Sequence, residues 1–205
     1  MHGEGKPLIM LHGNGEDSTI FSEVVERLSL NNELILVDSR GHGRSSDAPL
    51  HYEAMALDII MLIKHLGLNK PIIYGFSDGG IIALIIAIKC PNLLKRAIIS
   101  GANINPRGLS EWLLIKGKIS YLFKKNNLTG LMLKEPNIKP SDLNKIKIPI
   151  NLIVGEHDCI KKSHTMLIHN SIKDSTLEIV PGENHSSYII KNPKLYDVLK
   201  KYLNL

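Results

Sequence analysis

The sequence predicts an α/β fold: a doubly wound, mostly parallel sheet of about six strands, with a short helical cap inserted after the fourth strand. Three observations carry this. Short apolar runs alternate with segments whose apolar residues recur at helical spacing. The pentapeptide Gly75-Phe76-Ser77-Asp78-Gly79 stands between a strand-like run and a helix-like run. The segment from Pro106 to Lys147 breaks the alternation, which resumes at Ile148.

Taken in order, Pro7–Leu11 is a buried strand and His12-Gly13-Asn14-Gly15 a turn. Asp17 or Ser18 can cap a helix carrying Phe21, Val24, Val25 and Leu28. Glu33–Val37 is the second strand, followed by the glycine-rich loop from Asp38 to Ser45. A helix over about 51–66 aligns Met55, Asp58, Ile59, Leu62, Ile63 and Leu66. Pro71–Tyr74 is the third strand, with a helix from the pentapeptide to Cys90, where Pro91 stops it. Arg96–Ser100 is the fourth strand. After the cap come strand 148–154, helix 163–171, strand 176–180 and helix 193–203. The core is expected over 1–105 and 148–205, and the cap over 106–147.

Parallel strands joined by right-handed crossovers put all their C-terminal ends on one sheet edge, where ligands bind. The loops there are His12–Gly15, Asp38–Ser45, Gly75–Gly79, Gly101–Asn105, Gly155–Asp158 and Gly182–His185.

A serine with glycines two residues away on each side, in strand–turn–helix context, is the nucleophile elbow. The turn is tight, and a β-carbon at 75 or 79 would collide across it. Ser77 then needs a base and a group to orient that base. Among nine histidines, His185 follows the last strand directly and is the candidate base. His12 and His42 lie in glycine-rich turns and brace loops. His157 adjoins the proposed acid and supports it from behind. Asp158 is the candidate orienting carboxylate, with Glu156 as its rival. A developing oxyanion needs two donors; the backbone N–H groups of Asp78 and Asn14 are placed for this, while the Asp78 side chain favours the helix N-terminus.

Composition narrows the class. Apolar residues at 43% and charged residues at 22% describe a globular chain. The longest apolar run, Ile81–Ile88, is far short of a bilayer span, so no stable membrane insertion is expected. The polar, glycine-rich start Met1–Gly5 carries no signal pattern, and Cys90 and Cys159 form no spaced framework. A cytoplasmic location with reduced thiols is expected, a disulfide being the alternative. From Pro106 to Lys147 nine basic residues face three acidic ones, so a surplus of six sits there in a chain of net charge +5. That localised surplus argues against a nucleic-acid binder. It reads either as attraction of an anionic substrate or membrane surface, or as a solvated helix face. No metal spacing and no phosphate or dinucleotide loop is present, so no metal and no cofactor are expected. Trp112, Ile115, Ile119, Leu122 and Phe123 recur at three- and four-residue steps, predicting an amphipathic helix over 109–125. Trp112, Ile115, Ile119 and Phe123 are expected to bind an apolar part of the substrate; gluing the cap to the body is the alternative.

In this order, the His12–Gly15, Asp38–Ser45, Gly75–Gly80, Gly155–Asp158 and Gly182–His185 motifs resemble those of the α/β-hydrolase-fold superfamily over nearly the whole chain. The resemblance implies a triad of Ser77, Asp158 and His185, with an oxyanion hole at Asn14 and Asp78. The Ser77-Asp78-Gly79-Gly80 elbow and Ser100-Gly101-Ala102-Asn103 are similar to the valacyclovir-hydrolase-like branch. That branch holds its substrate's amine with an acidic residue on the helix before the elbow, matched here by Met61. Members of the superfamily usually carry two antiparallel strands before the first strand seen here. This chain starts at about the following turn, which predicts six parallel strands with 33–37 at an edge, a place where a homodimer could pair. The cap is short, with room for two or three helices, so the active site is expected to be open. The implied activity is hydrolysis of a small, partly apolar carboxylic ester through an acyl-enzyme. The same triad also serves acyl transfer, carbon–carbon bond hydrolysis or cofactor-free perhydrolysis, and a non-catalytic binder can share the fold. A dehalogenase or epoxide hydrolase would need a carboxylate at position 77.

Overall fold

The structure is a computed structural model and describes residues 1–203. Six strands form one parallel sheet: β1 Lys6–Leu11, β2 Asn32–Val37, β3 Ile72–Phe76, β4 Arg96–Ser100, β5 Ile150–His157 and β6 Ser175–Asn184. The order across the sheet is β2-β1-β3-β4-β5-β6. The chain therefore winds outward from β1 to β2, then returns to place β3 on the other side of β1. The switch point lies between β1 and β3, and the turns leaving those two strands are His12–Gly15 and the elbow.

Helices cover both faces, as a parallel sheet requires. Helix α1 (Ser22–Ser29) lies on one face, and α2 (Tyr52–His65) and α3 (Asp78–Lys89) lie on the other. The cap holds α4 (Glu111–Lys124), α5 (Asn127–Lys134) and the short α6 (Pro140–Leu143). Helix α7 (Lys162–Asn170) then joins the α2–α3 face, and α8 (Lys194–Leu203) joins α1. Burial explains the sequence patterns. Every residue of α3 from Asp78 to Ala87 is buried, so this helix is apolar on all sides rather than striped. Helix α8 meets the sheet with one face only, through Leu195, Val198, Leu199 and Leu203.

Asp17 caps a 3-10 turn at Ser18–Phe21 by accepting the Thr19 N–H, so the helix proper starts four residues later than the sequence pattern implied. The edge position of β2 agrees with expectation, yet its outer side is partly occupied. The N-terminal residues fold back, and His2 and Leu34 exchange both backbone hydrogen bonds in an antiparallel bridge (3.1 and 2.8 Å).

The last two strands run further than their apolar cores. The sequence reading ended them at Val154 and Val180, where the apolar run stops. In the structure β5 continues through Gly155-Glu156-His157 and β6 through to Asn184. After an irregularity in register His157 pairs with Asn184. Glu156 and His157 are exposed on this extension, so burial leaves no apolar signal of it. Its consequence is positional: Asp158 and His185 are each the first residue after a paired strand end, and so leave the sheet side by side.

Candidate active site

Ser77 sits at the top of β3 with φ 52° and ψ −110°, a backbone conformation that costs roughly 1–3 kcal/mol. Neighbouring backbone holds it there. Its N–H donates to the Ser100 carbonyl at 2.8 Å, and its carbonyl accepts the N–H groups of Gly80 and Ile81. A β-carbon on Gly75 would overlap the Gly79 carbonyl, and one on Gly79 would overlap the carbonyl of Leu11 in β1. The elbow is thus wedged against its own helix on one side and the neighbouring strand on the other.

The Ser77 hydroxyl lies 3.1 Å from His185 Nε2, and His185 Nδ1 lies 2.8 Å from Asp158 Oδ1. A carboxylate can only accept, so Nδ1 carries the proton and Nε2 is left to accept from the serine. Asp158 Oδ1 also accepts the Ile160 N–H at 2.8 Å, and its side chain is 2% exposed. Burial disfavours charge on His185, the Asp158 carboxylate favours it, and the balance moves the imidazole pKa upward. Glu156, the rival carboxylate, instead accepts the Gly182 N–H at 2.8 Å. His157 is exposed rather than packed behind the acid, on the strand extension that runs past the packed part of the sheet, where its neighbour Glu156 is exposed too.

His12 Nε2 accepts the Ser39 N–H, and His42 Nε2 accepts the Gly15 N–H, so both bind loops together. Among the described residues the backbone N–H groups of Asn14 and Asp78 have no hydrogen-bond partner. The Asn14 side chain spans the rim, donating to Asp78 Oδ2 at 2.9 Å and to the Leu128 carbonyl of α5 at 3.3 Å.

Several contributors have no motif to announce them. Tyr52, in α2, donates its hydroxyl to Asp78 Oδ1 at 2.7 Å. Burial pushes the Asp78 carboxyl pKa up, while Tyr52 and Asn14 pull it back toward the ionised form. Glu16 accepts the Gly13 N–H at 3.0 Å and is likewise pushed up by burial. Glu135, at the end of α5, accepts the Tyr52 N–H at 3.1 Å. Gly101 passes directly beneath the base: a β-carbon there would stand 2.6 Å from His185 Cε1. Only this glycine, in the loop after β4, stood in the set of rim segments read from sequence.

These groups surround a cavity of ≈ 310 Å³ above Ser77, roofed by Leu109, Leu113 and Met132 and also bordered by Cys159. Three carboxyl groups line it (Glu16, Asp78, Glu135), and no lysine or arginine does. Two expectations are corrected here. Trp112, Ile115, Ile119 and Phe123 do not border the cavity; they point outward from α4 and are 52–85% exposed. The inward residues are Leu113 and Gly117, on the opposite side of the helix. Periodicity grouped the four correctly on one face, but that face looks away from the body. Met61, matched to an amine-binding acid, is exposed on α2 and outside the cavity, because it lies on the solvent side of that helix. Acidity in the pocket comes from other positions.

A family model for the alpha/beta hydrolase fold matches residues 6–129. The chain belongs to this family. Among curated relatives, human "Serine hydrolase BPHL" is 29% identical over 224 residues, covering 91% of this chain and 76% of the relative. The zebrafish "sn-1-specific diacylglycerol lipase ABHD11" (Danio rerio) is 31% identical over 100 residues, covering 47% of this chain and 32% of the relative. The stretch matched there spans only about a third of that relative's length. Among solved structures, a lipase-esterase related protein from Clostridium acetobutylicum superposes with a TM-score of 0.83 at 19% identity, covering 99% of this chain and 96% of the other. That likeness establishes the fold alone.

Proposed function

We propose that this alpha/beta hydrolase cleaves small carboxylic esters through an acyl-enzyme on Ser77. The observation that carries the reading is the continuous hydrogen-bond path from Ser77 Oγ through His185 to Asp158. In the first step Ser77 Oγ bonds to the ester carbonyl carbon as its proton passes to His185 Nε2. The resulting oxyanion is held by the free N–H groups of Asn14 and Asp78. Collapse breaks the ester C–O bond, and the departing alkoxide takes the proton back from His185. Water then repeats the sequence on the acyl-enzyme, releasing the acid. Asp158 keeps the imidazole oriented and stabilises its charged form.

The cavity lining narrows the substrate. A pocket with three carboxyl groups and no lysine or arginine disfavours an ester that carries its own negative charge. The basic surplus of the cap lies outside this pocket and does not offset it. A fluorophosphonate probe is expected to label the wild type at Ser77 and to leave Ser77→Ala unlabelled. In parallel, a neutral ester is expected to outpace a carboxylate-bearing ester of the same size and leaving group by at least about tenfold in kcat/KM. Absence of labelling would remove the nucleophile; a preference for the anionic ester would remove the specificity argument and leave the nucleophile standing.

The base must be neutral to accept the serine proton. Because the His185 pKa is raised above its ordinary 6.5 in the folded protein, the active fraction grows as pH rises through that raised value. Ester turnover is therefore expected to climb on the alkaline side of pH 6.5, with no plateau reached at neutrality. NMR titration of the His185 imidazole should give a pKa above 6.5 that falls by at least about one unit in Asp158→Asn. A titration at or below 6.5 in the wild type would contradict the arrangement.

A further inference from the structure

The outward face of α4 is built differently from the rest of the surface. Trp112, Ile115, Ile119, Leu122 and Phe123 are 67%, 58%, 52%, 75% and 85% exposed. At 3.6 residues per turn they fall within an arc of about 100°. The arc lies opposite Gly117, the buried residue of this helix. Lys116 and Lys118 flank it on either side, both exposed. Lys116 Nζ sits 4.9 Å from the centre of the Trp112 ring, so its stem runs along the apolar face while its charge stays at the margin. Lys124 and Lys125 follow at the C-terminal end. Five large apolar side chains on one helix face, bordered by cations, form a patch that water alone does not explain.

We propose that α4 is a docking surface for an anionic lipid bilayer, lying in the plane of the interface with its apolar arc in the acyl boundary and its lysines among the headgroups. Charge decides between this occupant and a second copy of the chain. The cap segment from Pro106 to Lys147 carries nine basic residues against three acidic. Two such faces would bring like charges together around the apolar contact, whereas an anionic surface complements them. No helix among the described residues is long and apolar enough to cross a membrane, so attachment would be peripheral. The position of the helix gives this a consequence. Leu113, next to Trp112, roofs the cavity above Ser77, so the docked face and the site share one turn of helix. The inference does not depend on which ester, if any, the site cleaves.

Trp112 is the only tryptophan in the chain, so its fluorescence reports this face alone. Emission is expected to shift to the blue on adding vesicles of phosphatidylcholine with phosphatidylglycerol, and the protein is expected to sediment with them. Both effects should weaken with salt and be far smaller with phosphatidylcholine alone. Each lysine near such a surface contributes about fivefold in affinity, so Lys116→Glu with Lys118→Glu is expected to weaken binding by about 25-fold or more. Leu122→Glu with Phe123→Glu should abolish the shift at an unchanged melting temperature, since both side chains are exposed. Failure to bind anionic vesicles at low ionic strength would overturn the proposal. Equal binding to neutral vesicles would overturn it too. A blue shift that follows protein concentration without lipid, with a dimer on gel filtration, would assign the face to a second copy and overturn it as well.

Discussion

Ser77→Ala is expected to lower kcat/KM for an activated ester by about 10⁴–10⁶-fold while leaving the fold intact. In the proposed mechanism this hydroxyl is the atom on which the acyl-enzyme forms. Cys159 borders the same cavity, but Ser77 is the side chain that His185 Nε2 contacts, at 3.1 Å. The residual rate would come from the oxyanion donors and from binding alone. The substitution removes one oxygen from a half-buried position, so the melting temperature should stay within a few degrees. Burst kinetics with a chromogenic ester give the check: the wild type is expected to show an acyl-enzyme burst and the variant none. Turnover within tenfold of wild type would end the proposed chemistry.

The second large effect falls on folding. Gly79→Ala is expected to destabilise the protein by more than about 4 kcal/mol, or to prevent folding outright. The added methyl would overlap the Leu11 carbonyl and come within 2.7 Å of Leu11 Cβ. Both belong to β1, which is paired on both sides, to β2 and to β3. The backbone therefore has nowhere to yield. Gly75→Ala meets the same fate against the Gly79 carbonyl. Gly67→Ala is the informative contrast. It has a positive φ of 64° with open space around it, so only the backbone term applies, roughly 1–2 kcal/mol. Urea denaturation of the three variants measures the difference. If Gly79→Ala and Gly67→Ala cost the same, the elbow is not wedged as described.

Both effects were visible in the glycine spacing around Ser77, because a tight turn forbids side chains at fixed offsets. The same is true of the rim order. Parallel strands with right-handed crossovers bring distant loops to one edge, so Ser77, Asp158 and His185 could be grouped without coordinates. The hydrogen bonds among them were not legible, nor was the reason they meet. That reason is the pairing of His157 with Asn184 beyond the apolar ends of β5 and β6. Exposed polar residues pair there through backbone alone and leave no hydrophobic signature.

The sequence by itself determined the strand–helix alternation, the sheet edge that carries the site, and which side chains share a face of each helix. Hydrophobic period and turn chemistry are local, so they are written in neighbouring residues. Tertiary structure alone decided which way each face looks. It turned Trp112, Ile115, Ile119 and Phe123 to solvent, and it brought Tyr52, Glu16 and Glu135 into the cavity from three separate stretches of chain. Period fixes the spacing of a stripe, but only the packing of whole elements fixes what that stripe meets.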